Sequence, residues 1–249
     1  MEAGAYIGGV IAGLAFLFAG VRLSRLSLRT GEAPERLIGA TFLLWSVSYF
    51  VWEVPIMLGD ESTVMPCFVA GRLLNIFGIV TFVLFLRLVF RSQERWAWWL
   101  VTGVTLSLLI GFGGSISVGD WEGVDPLGNP WWWLENLGSN ASVIWMGYEG
   151  LSHYRMARQR LRLGLCDPLV CNRYLLWGLA GVIWAFWEVA STAQAIEYQV
   201  TQVWSATMDS LVGGIEIGVI AMIWLVFFPP AFYRRWINRD VVAGAAEGH

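Results

Sequence analysis

Five ionisable side chains lie inside stretches of sequence that are otherwise apolar: Glu53, Arg72, Glu188, Asp209 and Glu216. A charged group inside a bilayer costs about 2.5–3.5 kcal/mol on insertion scales, so each is a candidate functional residue. Four carboxyl groups against one guanidinium leave three acids without a protein cation. This balance predicts a site that takes up a proton or a cation. The structural alternative is an ion pair of Glu53 with Arg72 that only holds helices together.

Helical spacing places aromatic and amide side chains beside these groups. Tyr49 precedes Glu53 by one helical turn, Trp184 likewise precedes Glu188, and Asn75 follows Arg72. This pattern predicts an outward-facing cavity with aromatic walls that binds a small amphipathic or cationic ligand. The predicted ligand-binding residues are Glu53, Arg72, Asn75, Glu188, Glu216, Tyr49, Trp184 and Asn140.

The elements that must position these residues are membrane-spanning helices. Only 14% of the 249 residues are charged and 57% are hydrophobic, whereas about 25% of an average soluble chain is charged. A hydrocarbon core about 30 Å thick needs about 20 apolar residues per helix. The sequence predicts one all-α domain over residues 1–249, a bundle of seven transmembrane helices. Their expected ranges are about 6–26, 37–58, 64–90, 96–118, 131–154, 174–196 and 203–228.

The arginines predict the orientation of this bundle, because positive charge near helix ends stays on the cytoplasmic side. Fifteen of the 16 basic residues flank the first, third and fifth connections or the C-terminal tail, and Arg72 is the exception. The N-terminus is therefore expected outside and the C-terminus inside. Tryptophans at the span ends, Trp132 among them, are expected in the interfacial aromatic belt. We expect a bacterial plasma (inner) membrane protein.

The residue inventory also limits the cofactors. All 16 basic residues are arginine, so the lysine that a retinal Schiff base requires is missing. His153 and His249 lie at a helix end and at the last residue, and three scattered cysteines form no metal motif. We expect no cofactor, no haem and no zinc site.

The expected partners are membrane lipids and a small-molecule or lipid-like ligand. The arginines of the fifth connection, Arg155–Arg173, could bind anionic lipid headgroups or a cytoplasmic protein. We expect no nucleic acid partner.

Two short sequences recur in the second half of the chain. Trp52-Glu53-Val54 returns as Trp187-Glu188-Val189, and Leu88-Val89-Phe90 returns as Leu225-Val226-Phe227. The offsets would superpose helices one to three on helices five to seven. This favours a 3+1+3 internal repeat of the kind found in some transporters.

Particular segments and residues carry two resemblances to known groups of proteins. Residues 163–178, LGLCDPLVCNRYLLWG, and 227–236, FFPPAFYRRW, resemble a group of bacterial seven-helix proteins of unassigned function, akin to stand-alone sensor regions of membrane receptors. The Trp52-Glu53 pair and the acids Asp209 or Glu216 resemble the acids of membrane-bound terpene cyclases of meroterpenoid pathways, which protonate a polyprenyl substrate. That second resemblance implies Glu53 with Asp209 or Glu216 as general acids.

Three functions remain open. The first is a receptor-like or sensory protein that binds a ligand in the outward cavity. The second is an isoprenoid cyclase that uses the acids named above. The third is a small-solute or proton-coupled transporter that uses the repeat.

Overall fold

The computed structural model describes the backbone of residues 3–58, 61–123, 125–203 and 205–237. Side chains are described over the same ranges except at 3–9, 53–58, 61–63 and 209. Over these residues all regular secondary structure is helical. The predicted all-α class is therefore confirmed.

Each predicted span corresponds to one helix. The helices are α1 (Ala3–Thr30), α2 (Ala33–Leu58), α3 (Glu61–Phe90), α4 (Arg95–Ser117), α5 (Pro130–Arg162), α6 (Pro168–Thr201) and α7 (Ala206–Phe227). A short helix, α8, follows over residues 231–237. Helices α5 and α6 extend past their predicted ends where they carry arginines or polar residues, because hydropathy marks the apolar part of a helix and not its full length.

Five of these helices are long and apolar enough to cross a membrane. They lie at Val10–Thr30, Val64–Phe90, Arg95–Ser117, Pro168–Thr201 and Ala206–Phe227. These five helices indicate a membrane protein. The seven crossings, their orientation and the internal repeat remain predictions.

The chain divides into two compact units. Unit 1 comprises Met1–Ser142 and Trp187–Glu216, and unit 2 comprises Val143–Phe186 and Ile217–His249. Helices α5 and α6 each contribute residues to both units.

Unit 1 is built on α1 to α4, where α2 packs against both α1 and α3, and α3 packs against α4. Its core is aromatic: Trp45 lies 5.5 Å from Phe82 and 5.7 Å from Phe16 between ring centroids. Hydroxyl groups join the same helices, since Ser46 donates to the Gly13 carbonyl oxygen at 2.8 Å. Such bonds are typical of helix contacts in membranes, where the hydrophobic effect between helices is weak.

Unit 2 is packed through glycine. A Cβ atom at Gly150 of α5 would lie 2.4 Å from the backbone nitrogen of Gly178 of α6, so no larger residue fits there without a backbone shift. Trp177 and Phe227 pack edge to face at 5.8 Å. α5 ends before Gly164, whose φ of +68° closes the helix, and Asp167 caps the start of α6 by accepting from the Leu169 N–H at 2.7 Å.

Candidate functional site

Arg72 of α3 is a predicted site residue that makes several polar contacts. It is 4% exposed and donates from Nη2 to Oε2 of Glu135 on α5 at 2.5 Å. Its Nη1 donates to the carbonyl oxygens of Asp120 and Trp121 at 2.9 and 3.1 Å. One buried guanidinium therefore fixes α3 to α5 and to the segment that connects α4 with α5.

That connecting segment, residues 118–129, is held by side-chain hydrogen bonds. Asn129, 1% exposed, donates to Ser115 Oγ at 2.9 Å and to Asp120 Oδ2 at 2.6 Å. Its own Oδ1 accepts from the Trp131 N–H at 3.0 Å, which caps α5. Asp120 Oδ1 accepts from the Gly123 N–H at 2.9 Å. We call the described residues of this segment, 118–123 and 125–129, the acidic loop.

Two further contacts hold the acidic loop to α5 and α6. Trp132 Nε1 donates to the Gly123 carbonyl oxygen at 2.8 Å. Asp125 accepts from Gln199 Nε2, while the Leu127 N–H donates to Gln199 Oε1 at 2.9 Å. Trp132 is 6% exposed, so its assignment to the interfacial belt is wrong: its indole N–H is used inside the protein instead. The loop is therefore fixed to α3, α5 and α6.

The acidic loop surrounds a cavity of about 320 Å³ lined by Val118, Gly119, Asp120, Trp121, Glu122, Asp125 and Gly128. The lining contains three carboxyl groups and no basic side chain. Burial raises the pKa of the Glu122 carboxyl, and the nearby Asp120 carboxylate raises that pKa further. Within the described part of the chain, Glu122 has no hydrogen bond and no ion pair. A cation bound in this cavity would favour the carboxylate form of Glu122.

Glu188 of α6 forms a separate contact in unit 1. Its carboxyl group accepts a hydrogen bond from Ser139 Oγ of α5 at 2.8 Å, and the residue is 8% exposed. Ser139 lies one helical turn from Glu135, so the partners of Glu188 and Arg72 share one face of α5. One face of α5 therefore contacts both Arg72 of α3, through Glu135, and Glu188 of α6, through Ser139.

The other predicted residues do not gather around Arg72 in the contacts described. Tyr49 lies against α1, where a Cβ at Gly13 would be 3.0 Å from its ring. Asn140 donates to the Asn136 carbonyl oxygen of its own helix at 2.9 Å. Asn75, Trp184 and Glu216 are partly buried, and Trp184 belongs to unit 2.

The side chains of Glu53 and Asp209 lie outside the described residues. The Glu53–Arg72 pair and the general-acid roles of Glu53 and Asp209 therefore stay predictions. Among the described residues, no group of three or more histidine, cysteine and acidic side chains is arranged to hold a metal ion.

Two buried or partly buried acids of α5, Glu135 and Glu149, are not among the predicted site residues. Glu135 lies near the end of its predicted span, where a charged residue is ordinary and gives no signal of function. Glu149 lies well inside that span and is fully buried, and it accepts from Trp145 Nε1 at 3.1 Å. Its Oε2 lies 3.6 Å from His153 Nδ1. Glu149 has the same sequence signal as Glu188, because both are carboxyl groups inside a predicted span.

No family model, curated protein or solved structure matches this chain. The resemblances to sensor regions and to terpene cyclases accordingly remain expectations. A candidate binding site in the acidic loop is therefore supported by the geometry and contacts of the loop itself.

Proposed function

We propose that the chain is a receptor-like protein of a bacterial plasma membrane that binds a small organic cation in the cavity of the acidic loop. In this proposal all seven long helices cross the membrane, with the N-terminus and the acidic loop outside and the C-terminus inside. The distribution of fifteen arginines near the opposite helix ends supports this orientation.

The observation that carries the proposal is the half-buried Glu122 carboxyl group in a cavity with two other acids. Bringing like charges together is unfavourable, and a bound cation relieves that repulsion. The surrounding loop is already fixed by hydrogen bonds, so little ordering would be needed on binding. The cavity is consequently suited to a positively charged ligand.

The cavity also indicates the size and type of that cation. A volume of about 320 Å³ is at the lower end of ligand pockets, which span about 300–1,000 Å³. Trp121 and Val118 contribute apolar or aromatic surface to the lining, and aromatic rings attract quaternary and primary ammonium groups. These features favour a small ammonium compound over an inorganic ion.

The contacts of the loop support a receptor-like role. Arg72 joins the backbone of two lining residues to α3, and Gln199 joins the lining residue Asp125 to α6. A ligand that moves the loop would therefore act on two helices that are apolar enough to cross the membrane. Signalling by this route requires two loop positions whose populations the ligand changes.

A thermal-shift screen on the purified protein in nanodiscs tests the ligand class. Tetramethylammonium, a short diamine and a neutral alcohol of similar size serve as probes. We expect the two cations to raise the melting temperature and the alcohol to have no effect. Glu122→Gln should reduce the shift, while Glu94→Gln, at an exposed position between α3 and α4, should retain it in full. Equal shifts in both variants would contradict the proposed site.

A further inference from the structure

A surface in unit 2 is positively charged, in contrast to the acidic loop of unit 1, and is suited to a different partner. In α8, Phe232 and Trp236 are 67% and 59% exposed, and they lie one helical turn apart on the same face. Arg234 and Arg235 between them are also exposed. Tyr233 fixes the helix, since its hydroxyl oxygen accepts from Asn172 Nδ2 of α6 at 2.9 Å.

The end of α5 and the start of α6 have the same character. Five arginines there are exposed: Arg155, Arg158, Arg160, Arg162 and Arg173. Leu163 and Leu165, in the turn between the two helices, are 72% and 73% exposed. Within the described part of unit 2, Asp167 is the only exposed acid. We call the exposed side chains of α8, of this turn and of the two helix ends beside it the basic-aromatic surface.

We propose that the basic-aromatic surface binds the anionic headgroups of membrane lipids, with Phe232 and Trp236 inserted at the boundary between headgroups and acyl chains. α8 begins directly after α7, which is apolar enough to cross a membrane, so it starts at the level where a bilayer would end. A short helix with large apolar side chains and arginines is suited to this boundary. Indole rings and arginine stems favour the same depth.

The charge of the surface favours anionic over zwitterionic lipid. Each arginine near an anionic leaflet contributes about 1 kcal/mol, which corresponds to about a fivefold gain in binding. Among the described residues of unit 2, seven exposed arginines against one exposed acid therefore predict a marked preference for phosphatidylglycerol over phosphatidylcholine. This inference is independent of the cation site in unit 1.

Lipid retention by the full-length protein tests the proposal. The protein is equilibrated with mixed vesicles of phosphatidylglycerol and phosphatidylcholine, and the retained lipid is quantified by native mass spectrometry. We expect Arg234→Gln with Arg235→Gln to lower the preference for phosphatidylglycerol by about 25-fold. Arg234→Lys with Arg235→Lys keeps the charge and should keep the preference.

Two further controls make the result decisive. Arg25→Gln with Arg29→Gln removes equal charge from exposed positions in α1 and should lower the preference clearly less than the α8 pair does. Inorganic phosphate at the same concentration should not displace the lipid, which separates a lipid surface from a site for free phosphate. The proposal fails if the α1 pair lowers the preference as much as the α8 pair, if the lysine pair loses it, or if phosphate displaces the lipid. It also fails if the glutamine pair in α8 has no effect, in which case a protein partner becomes the better hypothesis for these arginines.

Discussion

Arg72 shows how one charge can be kept inside an apolar helix. Its guanidinium meets a carboxylate and two carbonyl oxygens within 2.5–3.1 Å, and the Phe112 ring lies 5.2 Å from its Cζ. The guanidinium holds five N–H donors in a rigid planar fork, whereas a lysine carries three donors on a single nitrogen. We therefore attribute to Arg72 the position of the acidic loop, and not a role in binding the ligand directly.

Removing Arg72 should be costly because it leaves Glu135 buried without its counter-ion. Breaking a buried pair on one side costs about 3–5 kcal/mol. We expect Arg72→Gln to lower the free energy of unfolding by about 3 kcal/mol, at the lower end because Glu135 is 18% exposed. Unfolding in sodium dodecyl sulfate measures this difference.

The same experiment on Glu135→Gln and on the double variant completes a double-mutant cycle. We expect the double variant to be less destabilised than the sum of the two single variants. Additive effects would show that the two side chains do not depend on each other.

Glu122 should make stability depend on pH. Burial and Asp120 raise its pKa above the ordinary value of 4.5, so the folded protein holds this proton more tightly than the unfolded chain does. The free energy of unfolding should therefore fall as pH rises from 4.5 through the raised pKa. Melting curves of wild type and Glu122→Gln over this interval measure the effect, and identical profiles would disprove it.

At this scale the sequence indicated some residues correctly but not how they pair. Arg72 stood out because a charge within a span needs an explanation. Its partner Glu135 did not, because spacing along a helix gives a depth and a face but not the reach of a long side chain. The binding of Arg72 to two carbonyl oxygens of a loop has no signal in residue types at all.

The acidic loop is the element on which the proposed site depends. Gly123 has a φ of +73°, and a Cβ there would lie 2.6 Å from Arg72 Cζ. Gly119 has a similar φ of +85° but no atom within 4 Å of the added Cβ. Alanine variants at these two positions therefore distinguish the effect of backbone strain from the effect of displacing Arg72, because only Gly123→Ala does both.

Both alanine variants carry the left-handed strain, about 1–2 kcal/mol. Gly123→Ala should lose about 1–3 kcal/mol more, because overpacking must move an arginine that three contacts hold. It should also weaken cation binding, whereas Gly119→Ala should not. Chemical unfolding and cation titration of both variants measure these effects, and equal losses would contradict the role given to Arg72.

The helices themselves were largely predictable. Their type and order follow from apolar length, and their ends at Gly164, Asp167-Pro168 and Pro229-Pro230 follow from local chemistry. The ordered structure of the acidic loop was not predictable, since it depends on buried side chains of α3, α5 and α6 that are distant in sequence. The sequence accordingly predicts a cavity among the helices, whereas the cavity of about 320 Å³ lies in the acidic loop.

For the whole molecule, the central prediction is the orientation in the membrane. With native cysteines replaced by serine, Leu127→Cys places a thiol at an exposed position of the acidic loop, and Ser92→Cys places one between α3 and α4. A membrane-impermeant maleimide should label the first in intact cells and the second only after lysis. Labelling of both in intact cells, or the reverse pattern, would contradict the proposed topology.

Binding of a small organic cation by the whole protein tests the account most directly. Titration calorimetry with tetramethylammonium in nanodiscs at neutral pH compares wild type, Glu122→Gln and Glu94→Gln. We predict saturable binding to wild type and Glu94→Gln, and about tenfold weaker binding to Glu122→Gln, a difference of about 1.4 kcal/mol. Equal affinity of Glu122→Gln and Glu94→Gln for tetramethylammonium would contradict a cation site in the acidic loop. The site is also contradicted if neither tetramethylammonium nor the short diamine binds to the wild type.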